Sequence, residues 1–215
     1  MNLPNKITFS RILLVPIFMV FIVPFPDWVL HSDFLAFIRP QMLRINDFII
    51  HYGNYFAAVI FIIASSTDGV DGYIARKRKQ VTKLGIFLDP IADKLLITAA
   101  LIALVERNAI PGGDVNGVTG WAAMIIISRE WIVTGLRLIA AGEGIVIAAS
   151  NWGKIKTISQ IIALSAVLLN NFPITFLLPD FHFDRWAMLV ASIITIYSGY
   201  DYIKKNLKLI GIDKR

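Results

Sequence analysis

The chain has 215 residues, of which 56% are hydrophobic, with a mean hydropathy of +0.66, a formal net charge of +6 and no cysteine. This composition excludes an ordinary soluble domain, and the grouping of the apolar residues into long runs reads as a multi-span membrane protein. The lack of cysteine excludes disulfides, cysteine–zinc sites and a cysteine nucleophile, and the clustered basic residues suit loops facing anionic lipid better than a nucleic-acid surface.

Six apolar runs follow one another, at about Ile7–Val23, Tyr55–Ala75, Gly85–Val105, Val118–Ala140, Ile155–Leu169 and Phe183–Ile203. Most reach the roughly 20 residues that a spanning helix needs, and the fifth is short. The first run follows Lys6 and Arg11 and has no small-x-small cleavage site, so it reads as an uncleaved span. The predicted fold is all-α, a single polytopic membrane domain over residues 1–215 with about six transmembrane helices. Asp27–Tyr52 is longer than a simple turn; its apolar residues recur near helical spacing, broken at Pro40, as in a segment lying along the outer interface. No internal repeat and no second soluble domain is read.

Orientation comes from lysine and arginine. The connection between the second and third runs carries Arg76, Lys77, Arg78, Lys79 and Lys83. Placing it in the cytoplasm puts both termini there too, along with Lys6, Arg11, Lys154, Lys156, Lys204, Lys205, Lys208, Lys214 and Arg215. Only Arg39, Arg44, Arg107 and Arg185 then fall outside, in agreement with the positive-inside rule.

The second and third runs carry four acids at their cytoplasmic ends: Asp68 and Asp71, then Asp89 and Asp93. Spacings of three and four put each pair on one helix face. At about 1.5 Å per residue, an antiparallel helix pair brings Asp71 level with Asp89 and Asp68 level with Asp93. Unpaired, four such charges would cost about 10 kcal/mol at the centre of a span and less near the interface. Two divalent cations would balance them; an all-carboxylate donor set suits magnesium, manganese or calcium, and His31, His51 and His182 all fall on the outer side. The competing reading is a salt-bridged structural network with Lys94, Arg76 and Arg129, which leaves unexplained why so many acids share one depth. Gly72, Ala75 and Gly85 near the acids leave room for a ligand or for close helix contact.

The run Asp68-Gly69-Val70-Asp71-Gly72-Tyr73-Ile74-Ala75-Arg76, with Gly85, Asp89 and Asp93, resembles the complete signature of the CDP-alcohol phosphotransferases. Pro4, Asn5, Thr8 and Arg11 also match that family's P-N-x-x-T-x-x-R segment near the N-terminus. The resemblance implies a CDP-linked donor and two divalent cations, Mg2+ or Mn2+. By that analogy Asp68, Asp71, Asp89 and Asp93 are metal ligands, and Asp93 is also the catalytic base for the acceptor hydroxyl. Asn5, Thr8, Arg11, Gly72, Ala75, Arg76 and Gly85 would bind the CDP group. The resemblance further implies a homodimer.

A second polar region interrupts the fourth and fifth runs. Arg129 and Arg137 are eight apart, on about one face of the fourth span, while Lys154 and Lys156 open the fifth on the same side. Arginines can hold a phosphate bidentately and lysines as point charges, so an acceptor with its own phosphate is expected. The competing reading pairs Arg129 with Glu130 and leaves the lysines to positive-inside. The stretches Ser128-Arg129-Glu130 to Thr134-Gly135-Leu136-Arg137 and Gly153-Lys154-Ile155-Lys156-Thr157 resemble the branch of the family that uses sn-glycerol 3-phosphate. That resemblance implies CDP-diacylglycerol as donor, with Arg129, Arg137, Lys154, Lys156 and Thr157 around the acceptor phosphate. The expected reaction yields phosphatidylglycerol phosphate and CMP, in the cytoplasmic membrane, at a site facing the cytoplasm. The open alternatives are another acceptor (serine, inositol, inositol phosphate or phosphatidylglycerol) and, from another class, a divalent-cation transporter.

Overall fold

The computed structural model describes residues 3–77, 83–110, 116–145, 147 and 150–206; within its helices the side chains of residues 3–5, 68–77, 83–87, 89, 90 and 93 lie outside the description. Among the described residues the fold is all-α. Six long helices, α1 (Leu3–Ile22), α3 (Arg39–Lys77), α4 (Lys83–Asn108), α5 (Gly120–Gly142), α6 (Asn151–Leu168) and α8 (Phe183–Lys205), are joined by the short α2 (Asp27–Leu30) and α7 (Ile174–Leu177). Each apolar run falls on one long helix, and all but the second match their helix to within a few residues at both ends.

Two boundaries differ from the expectation for physical reasons. Pro40 does not break a separate interfacial segment; it sits in the first turn of a 39-residue α3. Proline lacks an N–H that the first turn does not use, so it can begin a helix there. Only residues 27–35 remain as short pieces, α2 and a 3-10 turn at Asp33–Leu35. The short fifth run gains a turn at its start because Ser150 caps α6, its hydroxyl accepting from the Gly153 N–H at 3.1 Å.

The bundle is built in two groups. α1 packs against α3 and α4, and α8 packs against α5 and α6; α3–α6 and α4–α5 contacts join the groups. Each helix buries one stripe. On α4 it is Ala92, Leu96, Ala100, Ala103 and Leu104; on α8 it is Met188, Ala191, Thr195, Ser198 and Tyr202. Small residues let backbones approach: at Gly53 a Cβ would come within 2.1 Å of the Phe21 carbonyl oxygen on α1.

The outward faces are apolar as well. Leu189, Val190, Ile193 and Ile196 of α8 are exposed, while its inward face holds Ser192, Thr195 and Ser198. This is the reverse of a water-soluble helix, whose outer face is charged. Among the described residues one stretch, Arg39–Thr67 of α3, is by length and hydropathy a candidate membrane span.

The end of the bundle away from the acids is tied by polar side chains. Arg107, in the last turn of α4, donates to the Ile22, Ile49 and Ile50 carbonyls at 3.1, 3.3 and 2.9 Å, satisfying main-chain acceptors of α1 and α3. Asp184 at the start of α8 accepts from the Gly117 N–H at 2.7 Å and from Asn171 Nδ2 at 2.8 Å. Asn170 and Asn171 adopt φ values of 50° and 62°, a conformation asparagine tolerates better than most residues.

Candidate active site

Asp68 and Asp71 lie on the last turns of α3, and Asp89 and Asp93 on the first turns of α4. These helices pack against each other. The side chains of all four acids, and of Asn5, Gly72, Ala75, Arg76 and Gly85, lie outside the described residues. Their donor set is wholly carboxylate oxygen, a chemistry that fits a hard divalent cation. Among the described side chains no group of three or more His, Asp or Glu residues could hold a metal.

A cavity of about 900 Å³ opens between the two helix groups. Ala64 and Ser65, about one turn before Asp68 on α3, line it, as do Ala92 and Lys94, the neighbours of Asp93 on α4. Arg11 of α1 also lines it and is buried, as is Thr8 one turn earlier. From the other group come Arg129 and Arg137 of α5, and Lys154, Lys156 and Thr157 of α6. All five residues expected around the acceptor phosphate therefore line one cavity together with Arg11. Six basic side chains and a single acid, Glu130, are found among its described lining residues.

Glu130 organises the cations. Its Oε1 lies 3.3 Å from Arg129 Nη1 and also receives the Lys156 ammonium. Lys156 is only 4% exposed, so this carboxylate offsets a charge that water cannot reach. The Glu130 carbonyl accepts from Thr134 Oγ1 at 2.7 Å, and that hydroxyl in turn receives Lys94. The network thus connects the helix that carries Asp89 and Asp93 with the helix that carries both arginines. Thr157 directs its hydroxyl to the Gly153 carbonyl at 3.1 Å, holding it against its own helix.

Two contacts were not anticipated from sequence. Arg129 Nη2 donates to Ser198 Oγ at 2.8 Å, and Arg137 Nε donates to Tyr202 Oη at 3.1 Å, both across to α8. The available signal was the polar interruption Ser198-Gly199-Tyr200-Asp201-Tyr202 near the end of an apolar run, with Ser198 and Tyr202 one turn apart.

A basic cavity thus lies beside the Asp-bearing ends of α3 and α4. The chain belongs to the CDP-alcohol phosphatidyltransferase family, whose model matches residues 1–197. It is similar to a Bacillus subtilis protein named CDP-diacylglycerol–glycerol-3-phosphate 3-phosphatidyltransferase, with 48% identity and 95% of each chain covered. A Haemophilus influenzae protein of the same name is 35% identical, covering 94% of this chain and 92% of its own. A third, from Pseudomonas fluorescens, is 33% identical over 100% of this chain and 95% of its own. The family is generally dependent on divalent cations.

Proposed function

We propose that this chain transfers the phosphatidyl group of CDP-diacylglycerol to sn-glycerol 3-phosphate, releasing CMP and forming phosphatidylglycerol phosphate. The observation that carries the reading is the cavity in which Arg129, Arg137, Lys154 and Lys156 converge beside the Asp-bearing ends of α3 and α4. The shared name of relatives at up to 48% identity supports it. Cations beyond those facing the donor fit an acceptor that carries its own phosphate.

In this reading Asp68, Asp71, Asp89 and Asp93 hold two divalent cations, Mg2+ or Mn2+. When bound, the cations neutralise the donor diphosphate and the charge that builds on the leaving phosphate. Arg11, Thr8 and Asn5, with Gly72, Ala75, Arg76 and Gly85, hold the CDP group. Arg129 and Arg137 clamp the acceptor phosphate, and Lys154 adds a point charge. Lys156, bound by Glu130, adds to the positive field.

Clamping the phosphate aims the primary hydroxyl of the acceptor at the lipid-side phosphorus. Its oxygen forms the new P–O bond as the bond to CMP breaks, and its proton passes to the Asp93 carboxylate. We read the step as a single in-line displacement: no cysteine or histidine lines the cavity among the described residues, and its serines, Ser65 and Ser150, have no histidine there to activate them.

The setting is a lipid bilayer. We read the six long helices with apolar outer faces as six spans; the positive-inside rule supports a reading with both termini and the cavity mouth in the cytoplasm. The donor's acyl chains would remain among apolar lining residues such as Leu138, Ile158 and Ile161. We read residues 1–215 as one domain that works as a homodimer in the cytoplasmic membrane.

The test uses purified protein in detergent with CDP-diacylglycerol, a divalent cation and labelled glycerol 3-phosphate. Label entering a lipid-soluble product, with one CMP released per transfer, supports the reading. Transfer to serine or inositol but not to glycerol 3-phosphate would overturn the acceptor assignment. Cation uptake into vesicles without CMP release would instead indicate a transporter.

A further inference from the structure

Arg129 and Arg137 start eight residues apart on α5, about 12 Å along the helix axis. Their anchors on α8, Ser198 and Tyr202, are four residues apart, about 6 Å. The two guanidinium groups therefore converge on partners half as far apart as their own backbones. Both anchors are sealed in the bundle: Ser198 is 0% and Tyr202 2% exposed.

The anchoring is selective about which donors it uses. Tyr202 takes only Nε of Arg137, and the guanidinium carbon lies 5.6 Å from its ring centroid. Both terminal nitrogens of Arg137 have no hydrogen-bond partner among the described residues. On Arg129, Ser198 and Glu130 take one terminal nitrogen each, and the buried Nε has no partner among the described residues. Gly199, between the anchors, leaves room for the Arg129 stem: a Cβ there would press on Arg129 Cγ at 3.2 Å. An arginine held by a neutral hydroxyl keeps its charge and its remaining N–H groups for a ligand, whereas one held by a carboxylate on every side would not.

We propose that Ser198, Gly199 and Tyr202 form a neutral cradle on α8 that sets the spacing of the Arg129–Arg137 clamp and so selects an acceptor bearing a phosphomonoester. These are positioning residues, acting through the two arginines. The inference rests on the proposed function and adds a third helix to the acceptor site. It also explains why the last span carries a serine, a glycine and a tyrosine on its inward face where an apolar seam would pack as well.

The test measures KM for glycerol 3-phosphate and for CDP-diacylglycerol separately, and kcat, with purified full-length Ser198→Ala, Gly199→Ala and Tyr202→Phe. Loss of a hydrogen bond to a charged group predicts a KM for glycerol 3-phosphate raised about tenfold by Ser198→Ala or Tyr202→Phe, with the donor KM within about twofold of wild type. Gly199→Ala, which removes no hydrogen bond, moves the acceptor KM in the same direction by displacing the Arg129 stem. Unchanged acceptor KM in all three overturns the cradle. So does an equal loss toward both substrates accompanied by a lowered melting temperature, which marks a packing role. Wild-type protein that transfers nothing to glycerol 3-phosphate overturns the functional reading itself, and the inference with it.

Discussion

Lys156 of α6 places its ammonium on the Glu130 carboxylate of α5 while only 4% of the residue remains exposed. The same carboxylate oxygen lies 3.3 Å from the Arg129 guanidinium. One acid therefore serves two cations on two helices, and the basic side of the cavity is tied together through it.

Removing that acid strands a buried ammonium. Glu130→Gln is expected to destabilise the protein by about 3 kcal/mol, the usual cost of breaking a buried pair from one side. Adding Lys156→Met to Glu130→Gln should recover much of that loss, because the charge left unpaired is gone. Thermal unfolding of the two single variants and the double variant in detergent measures this coupling. Additive losses would mean that the pair is not energetically linked.

Arg129→Lys keeps the positive charge but loses the planar fork that reaches both Glu130 and Ser198. A lysine cannot reproduce that geometry, so the KM for glycerol 3-phosphate should rise at least about tenfold. Steady-state kinetics at saturating CDP-diacylglycerol reads the change. An unaltered acceptor KM would remove Arg129 from the clamp.

The close crossing of α1 and α3 depends on Gly53. Its Cβ position lies 2.1 Å from the Phe21 carbonyl oxygen, a backbone atom that cannot swing aside. Gly53→Leu must separate the helices, and overpacking of this kind costs about 1–3 kcal/mol or more. The expected result is a lower melting temperature and poor recovery of monodisperse protein. A variant with wild-type melting would show that the helices can part without cost.

Chelation should abolish activity, and Mg2+ or Mn2+ should restore it, if Asp68, Asp71, Asp89 and Asp93 hold divalent cations. Asp93→Asn should reduce CMP release by about 100-fold or more, since it removes both a ligand and the proton acceptor. Full activity in excess chelator would contradict the metal-dependent scheme.

Much of the fold was legible because apolar runs separated by basic or proline-bearing connections mark helices directly. Ile7–Val23 and Phe183–Ile203 fall almost wholly on α1 and α8. The start of α3 was not, since Pro40 reads equally as a break or as a first-turn residue, and only its contacts decide. The acid motif was legible as a pattern of spacing along two helices. The α8 cradle was hidden for the opposite reason: it depends on which side chains meet across helices 69 and 65 residues apart in the chain, and no periodicity records that.

In the proposed function the basic cavity chooses the acceptor. This choice is tested most directly by measuring CMP release from CDP-diacylglycerol by the purified wild-type protein with glycerol 3-phosphate, glycerol, serine and inositol as sole acceptors. Rapid release is expected with glycerol 3-phosphate, and at least about 100-fold less with the three acceptors that lack a phosphate. Comparable release with glycerol or serine would contradict it.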